Sequence, residues 1–351
     1  MPYQLSEIDI LDIALGTGFL GSGGGGDTKI GEIITKNAVK RGAKVIVEKL
    51  QNVPDEALVI AVGAMGAPTV LAEKLPSKEE STDAIKKMEE FLNEKIDYAI
   101  PAEIGGTNGL YGIYIASQTQ KILIDADCMG RAFPEIQMVT PNIYEGIEES
   151  VAVLANGKET CILSAENLQE LELLARQKTT EMGGTVTIVY MPMRGKKARQ
   201  CCVPNSISVA QKVGRGVRNN THLNLMENMN NILQGTEYGP LEQIAFGKII
   251  DLKRELERSF NMGWVLIESL DGEQVIKIDF QNENLRAVNL KNGEVLALVP
   301  KIITILDNEF KPLSCECLRI GLDVSVATLQ VPEILRTKKA LELLVPKHFL
   351  A

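Results

Sequence analysis

Apolar runs alternate with helix-like stretches through the first half of the chain, and this alternation restricts the fold more than any other feature. "AKVIVEKL", "ALVIAVGAMG", "IDYAIP" and "KILIDAD" read as strands; "TKIGEIITKNAVKRG", "STDAIKKMEEFLNEK" and "GLYGIYIASQTQ" between or before them have helical spacing. Strands joined through helices must run parallel, and near-continuous apolar runs mean that both faces of their sheet are covered. The expected fold class is α/β, with a mostly parallel sheet flanked by helices in an N-terminal domain over residues 1–165.

From about residue 165 the texture changes. "SAENLQELELLARQKTTEMGG" reads as a helix capped at Ser164, "GTVTIVYMPM" as a strand and "NSISVAQKVGRGVRN" as another helix. Beyond about residue 243 short alternating segments dominate, separated by turn dipeptides such as Asp271-Gly272 and Asn292-Gly293. Residues 166–351 are therefore expected to form a mixed connection followed by a smaller β-rich C-terminal domain. A length of 351 residues suits two hydrophobic cores better than one.

Forty-six acidic against 37 basic residues give a net charge of -9, which disfavours nucleic acid and anionic membrane surfaces as partners. The basic stretch "MRGKKARQ", residues 193–200, reads as a solvated loop. No apolar run approaches a membrane span, and "MPYQLSEIDI" lacks the basic start of a signal peptide, so a cytoplasmic location is expected. In that reducing compartment the six cysteines should be free thiols. A zinc site from Cys201, Cys202, Cys315 and Cys317, the last two on one strand face, lacks the usual C-x-x-C spacing.

"GTGFLGSGGGGD", Gly16 to Asp27, contains a literal G-x-G-x-x-G. A dinucleotide fingerprint requires a strand before its first glycine. Here Ser6, with Asp9 three positions on, starts a helix instead, so NAD is not expected. Gly23, Gly24 and Gly25 are expected to form a loop whose bare backbone approaches a ligand.

In an open parallel sheet the carboxyl ends of the strands share one edge, where ligands bind. Three strands end there in loops carrying Glu103, Gly105, Gly106, Thr107, Asn108, Asp125, Asp127, Arg131 and Glu135. Asp125 and Asp127, at i and i+2 on an extended segment, point to one side. Their repulsion is relieved by a shared proton or by a divalent metal, so either general acid–base chemistry or metal ligation follows. With only His222 and His348 available, a three-histidine zinc site cannot form within one chain, and carboxylates and backbone amides must carry most of the chemistry.

"LGTGFLGSGGGGD", "IPAEIGGTNGL" and "DADCMGRAFPEIQM" resemble the signature segments of the S-methyl-thiohydantoin desulfurase-like family, and the resemblance extends through "NSISVAQKVGR", "FQNENL" and "VPKHFL". It implies an N-terminal α/β domain joined to a β-rich one, and a hydrolase acting on a small heterocycle, a cyclic ureide or its thio analogue, with loss of sulfur or methanethiol. It implies Asp125 or Asp127 as base or metal ligand and Glu103 as a second carboxylate. Arg131, Asn108, Thr107 and the glycine-loop amides, including Gly105 and Gly106, would hold the ring. The family's association with hydantoinase and oxoprolinase genes raises a second reading, a non-catalytic subunit or ligand-binding partner of such a complex, and a homodimer is plausible. The chain departs from the family pattern at Cys128, where glycine is typical, at Lys301, where an acid is typical, and at Val345.

Overall fold

The computed structural model describes residues 2–147, 150–219, 225–257 and 260–344. A short strand, β1 (Tyr3–Gln4), precedes a capping box in which the Ser6 amide donates to Asp9 Oδ2 at 2.8 Å and the Asp9 amide returns to Ser6 Oγ. Helix α1 (Glu7–Leu20) follows, then α2 (Thr28–Lys40) and β2 (Ile46–Lys49). Next come β3 (Leu58–Gly66), α3 (Pro68–Glu73), α4 (Lys78–Leu92), β4 (Tyr98–Pro101), α5 (Gly106–Thr119) and β5 (Ile122–Asp127). Strands β2, β5, β4 and β3 lie side by side and parallel. Val59, Ile60, Ala61 and Val62 of β3 are all fully buried, because helices cover both faces.

The sheet continues in antiparallel fashion. After α6 (Thr140–Tyr144), a hairpin of β6 (Ser150–Asn156) and β7 (Glu159–Ala165) turns through Gly157 and Lys158, and α7 (Leu168–Glu181) leads to β8 (Thr185–Arg194). Strand β8 inserts between β3 and β6, giving the order β1-β2-β5-β4-β3-β8-β6-β7, a mixed sheet with a parallel centre. The chain then forms α8 (Gly195–Cys201), β9 (Val203–Pro204), which pairs with β5, α9 (Ser206–Arg218) and α10 (Leu225–Leu233). Although they lie beyond residue 165, β8 and α9 are built onto the first sheet and onto α1.

The second sheet is antiparallel throughout. It comprises β10 (Leu241–Glu257), β11 (Phe260–Ser269), β12 (Val275–Gln281), β13 (Glu283–Asn289), β14 (Glu294–Leu298), β15 (Ile302–Leu306), β16 (Pro312–Leu313) and β17 (Asp323–Leu329), in the order β14-β13-β12-β11-β10-β17-β15-β16. Helix α11 (Lys338–Leu343) follows. One core gathers Ile249, Val265, Ile278 and Val326 inside this sheet; Leu285, Ile302 and Leu329 belong instead to the core of the first domain. Apolar packing therefore runs across the junction of the two sheets.

Several local expectations change. Ser77 and Asn167 cap α4 and α7, in place of Ser81 or Thr82 and Ser164; the side chains of Ser77 and Asn167 are the ones that accept the amides of Glu80 and Glu170. The basic stretch is the end of β8 followed by α8, with Arg194 paired to Glu94 and Arg199 to Asp55. Cys315 and Cys317 lie on a 3-10 turn rather than a strand. All six cysteines are free, and Cys128 Sγ approaches Cys202 Sγ at 3.9 Å.

Candidate functional site

Residues from the carboxyl ends of β3 and β4, from the loop after β5 and from the amino end of β13 enclose a cleft of about 90 Å³, room for several waters or one small ring. Glu103 lies just past β4 on its wall. Its Oε1 accepts from Asn108 Nδ2 at 2.7 Å and its Oε2 from the Phe133 amide at 3.1 Å. Burial outweighs those donors and, with Asp127 nearby, pushes the carboxyl up to about 8.

Glu283 faces it from the second sheet. It is buried, and burial followed by the charge of Glu103 raises its carboxyl well above the usual range, against the pull of Arg131. A Cβ added to Gly24 would stand 2.2 Å from Glu283 Oε1, so the glycine loop makes room for this carboxyl. Sequence reading missed Glu283; it sits in "FQNENL", a segment quoted for its resemblance alone, with no spacing signal of its own.

Arg131 is fully buried and does not line the cleft. Its guanidinium donates to carbonyls of Ala132 at 2.9 Å, Pro300 at 3.1 Å, Lys301 at 2.9 Å and Asn284 at 3.3 Å, so it ties the first domain to the second. Burial pulls it down to about 10 while Glu283 and Glu103 hold it up; it is a cation at neutral pH. That single charge favours ionisation of one carboxyl, and once one has ionised, repulsion holds the proton on the other.

Asp125 and Asp127 do not line the cleft. Asp125 accepts from the Ser208 amide at 2.9 Å and from the Ser208 hydroxyl, fastening the start of α9 to β5. Asp127 Oδ2 accepts three amides, those of Ile104 at 3.0 Å, Met129 at 3.1 Å and Gly130 at 2.7 Å; burial nevertheless pushes it up to about 7. Asp127 Oδ1 has no partner, but the other carboxylate oxygens of the pair are taken by N–H and O–H donors, and no group of three metal-ligating side chains occurs among the described residues. The pair does not fit a divalent metal.

The remaining candidates divide. Asn108 and Gly25 line the cleft, with Gly26 and Glu135 beside them; Gly23, Gly24, Gly105, Gly106 and Thr107 do not. The Thr107 and Asn108 amides, at the start of α5, donate to the Gly26 and Gly25 carbonyls at 3.1 and 3.2 Å, so the glycine loop caps that helix instead of leaving its amides to a ligand. Asn108 also bonds the amide and carbonyl of Ala64, fixing its side chain between β3 and Glu103. Gly16 and Gly18 lie inside α1; a Cβ on Gly16 would meet the Ala210 carbonyl of α9 at 1.8 Å and one on Gly18 would meet Pro312 Cγ of β16 at 2.7 Å, so the first glycines of the motif serve close packing. His222 and His348, and Val345, fall outside the described residues. No helix among the described residues is long and apolar enough to cross a membrane.

A crystal structure of a protein from Chromobacterium violaceum shares the fold, with a TM-score of 0.80 at 20% identity over 99% of this chain and 96% of that one. No curated protein matches the chain. The S-Me-THD-like N-terminal domain matches residues 8–166 and the S-Me-THD-like C-terminal domain residues 165–350. Matched from end to end in this way, the chain belongs to the S-Me-THD-like family, the S-methyl-thiohydantoin desulfurase-like proteins that its signature segments resemble.

Proposed function

We propose that the protein is a hydrolase that removes methanethiol from an S-methyl-thiohydantoin-type ring, with Glu103 and Glu283 as its acid–base pair. The observation that supports this most is that two buried carboxyls from different domains face one small cleft, with a single buried cation in electrostatic reach of both. Glu103 receives two hydrogen bonds and ionises first; it is the base that takes a proton from the attacking water. Glu283 keeps its proton and is the acid. The water oxygen bonds to the ring carbon between the two nitrogens and the carbon–sulfur bond breaks. Of the two water protons, one ends on the ring nitrogen and one on the departing sulfur, both relayed by the carboxyl pair. Asp125 and Asp127 act as supports in this scheme.

The purified chain should release methanethiol from S-methyl-thiohydantoin, at a rate that rises with pH as Glu103 ionises through about 8. Glu103→Gln should lower the rate by roughly 10²–10⁴-fold, the usual contribution of a positioned base, without lowering Tm. An inert wild-type chain, or an unaffected variant, would overturn the assignment.

A further inference from the structure

Two polar atoms on side chains of the cleft wall have no hydrogen-bond partner, Tyr190 OH on β8 and Glu283 Oε2, and both residues are more than nine-tenths buried. Leaving a buried hydroxyl unpaired costs about 1–3 kcal/mol, so an unpaired group beside a cleft points to a ligand that completes it. The Tyr190 hydroxyl stands within electrostatic reach of Glu103, and burial keeps its proton on well above the ordinary tyrosine range. At neutral pH it can donate.

The charges around the cleft restrict what enters. Glu103, Glu135 and Glu283 line it against one guanidinium, Arg176. That guanidinium is engaged by Glu172, with Nε at 2.7 Å, and by the Pro134 carbonyl at 3.0 Å. Met65, Leu71, Phe133 and Ile188 supply apolar wall. At pH 7 burial keeps protons on Glu103 and Glu283, so an incoming carboxylate would give up its water against apolar wall with only an already partnered guanidinium to replace it.

We infer that the cleft takes an uncharged small ring, held by a hydrogen bond from the Tyr190 hydroxyl to a ring acceptor, and turns away rings that carry a carboxylate. The inference deepens the desulfurase reading and rests on it for the choice of ring. It is tested by calorimetric titration at pH 7 with hydantoin and with hydantoin-5-acetic acid. Hydantoin should bind the wild-type protein, and the acid should bind at least about tenfold more weakly, the size of one lost or opposed polar contact. Tyr190→Phe should weaken hydantoin binding by about the same factor and leave Tm unchanged or higher, since the hydroxyl it removes is unpaired. A structural hydroxyl would behave oppositely, lowering Tm on removal without touching affinity.

The inference is overturned if hydantoin fails to bind, if the acid binds as tightly, or if folded Tyr190→Phe binds hydantoin like wild type. Should that variant not fold, the comparison of the two ligands on wild-type protein still decides. Methanethiol release measured in parallel separates the two proposals. Release that survives in Tyr190→Phe with unchanged ligand affinity sinks only the ring-binding role. Hydantoin binding that depends on Tyr190, with no release, sinks only the desulfurase.

Discussion

Arg131 shows what one side chain decides. Its guanidinium satisfies carbonyls on both sides of the domain junction and supplies the buried positive charge near Glu103 and Glu283. Arg131→Met would orphan those carbonyls and leave the two carboxyls without a counter-charge. Breaking a buried ionic network of this kind costs about 3–5 kcal/mol, which denaturant titration would detect; a loss under about 1 kcal/mol would contradict the tie described here. The sequence marked Arg131 as important but for another reason, a ligand contact. The difference is physical: a loop arginine after a strand reads alike whether its fork meets a substrate or three carbonyls some 150–170 positions away.

At the scale of elements, α9 illustrates a cap delivered from elsewhere. Its N-cap residue, Asn205, sits at φ 60 and makes no side-chain cap, and Asp125 on β5 accepts the Ser208 amide in its place. Asp125→Ala should therefore lower stability by about 1–2 kcal/mol, as loss of a helix cap does, while methanethiol release per folded molecule stays near wild type. Abolished turnover at unchanged Tm would return Asp125 to the chemistry. Strand and helix identities were largely legible, since β3 and β5 are apolar runs and α1 carries the Ser6–Asp9 box. The β6–β7 hairpin was not read; its two-residue turn is Gly157-Lys158, and Gly157, at φ 61, is the one turn signal there. Caps slipped where several Ser, Thr or Asn residues stood close together, because only three-dimensional placement selects the side chain that meets an amide.

For the molecule as a whole, the buried carboxyls set an unusual pH response. Glu103 is raised from 4.5 to about 8, Asp127 from 3.8 to about 7, and Glu283 is raised as well. The folded protein holds protons that the unfolded chain gives up, so this stabilisation is complete below the unfolded values and is lost as pH rises through about 7 and 8. Tm should be highest in mildly acidic buffer and fall towards pH 8, and Glu103→Gln should flatten part of that slope. A Tm that climbs over the same interval would show the carboxyls to be ionised in the folded state.

The chain's own order of residues determined the α/β class of the first domain, the β-rich second domain, the helix before the glycines and the presence of Glu103 and Asn108 at a strand-end cleft. Periodicity and capping act over a few residues, so they survive in a linear reading. The tertiary structure alone decided that β8 completes the first sheet, that Asp125 and Asp127 accept backbone amides away from the cleft wall, and that Glu283 and Tyr190 line the cleft with Glu103. Those assignments depend on which distant groups share a dehydrated space, and the free energy of a buried charge or hydroxyl is set by its neighbours there rather than along the chain.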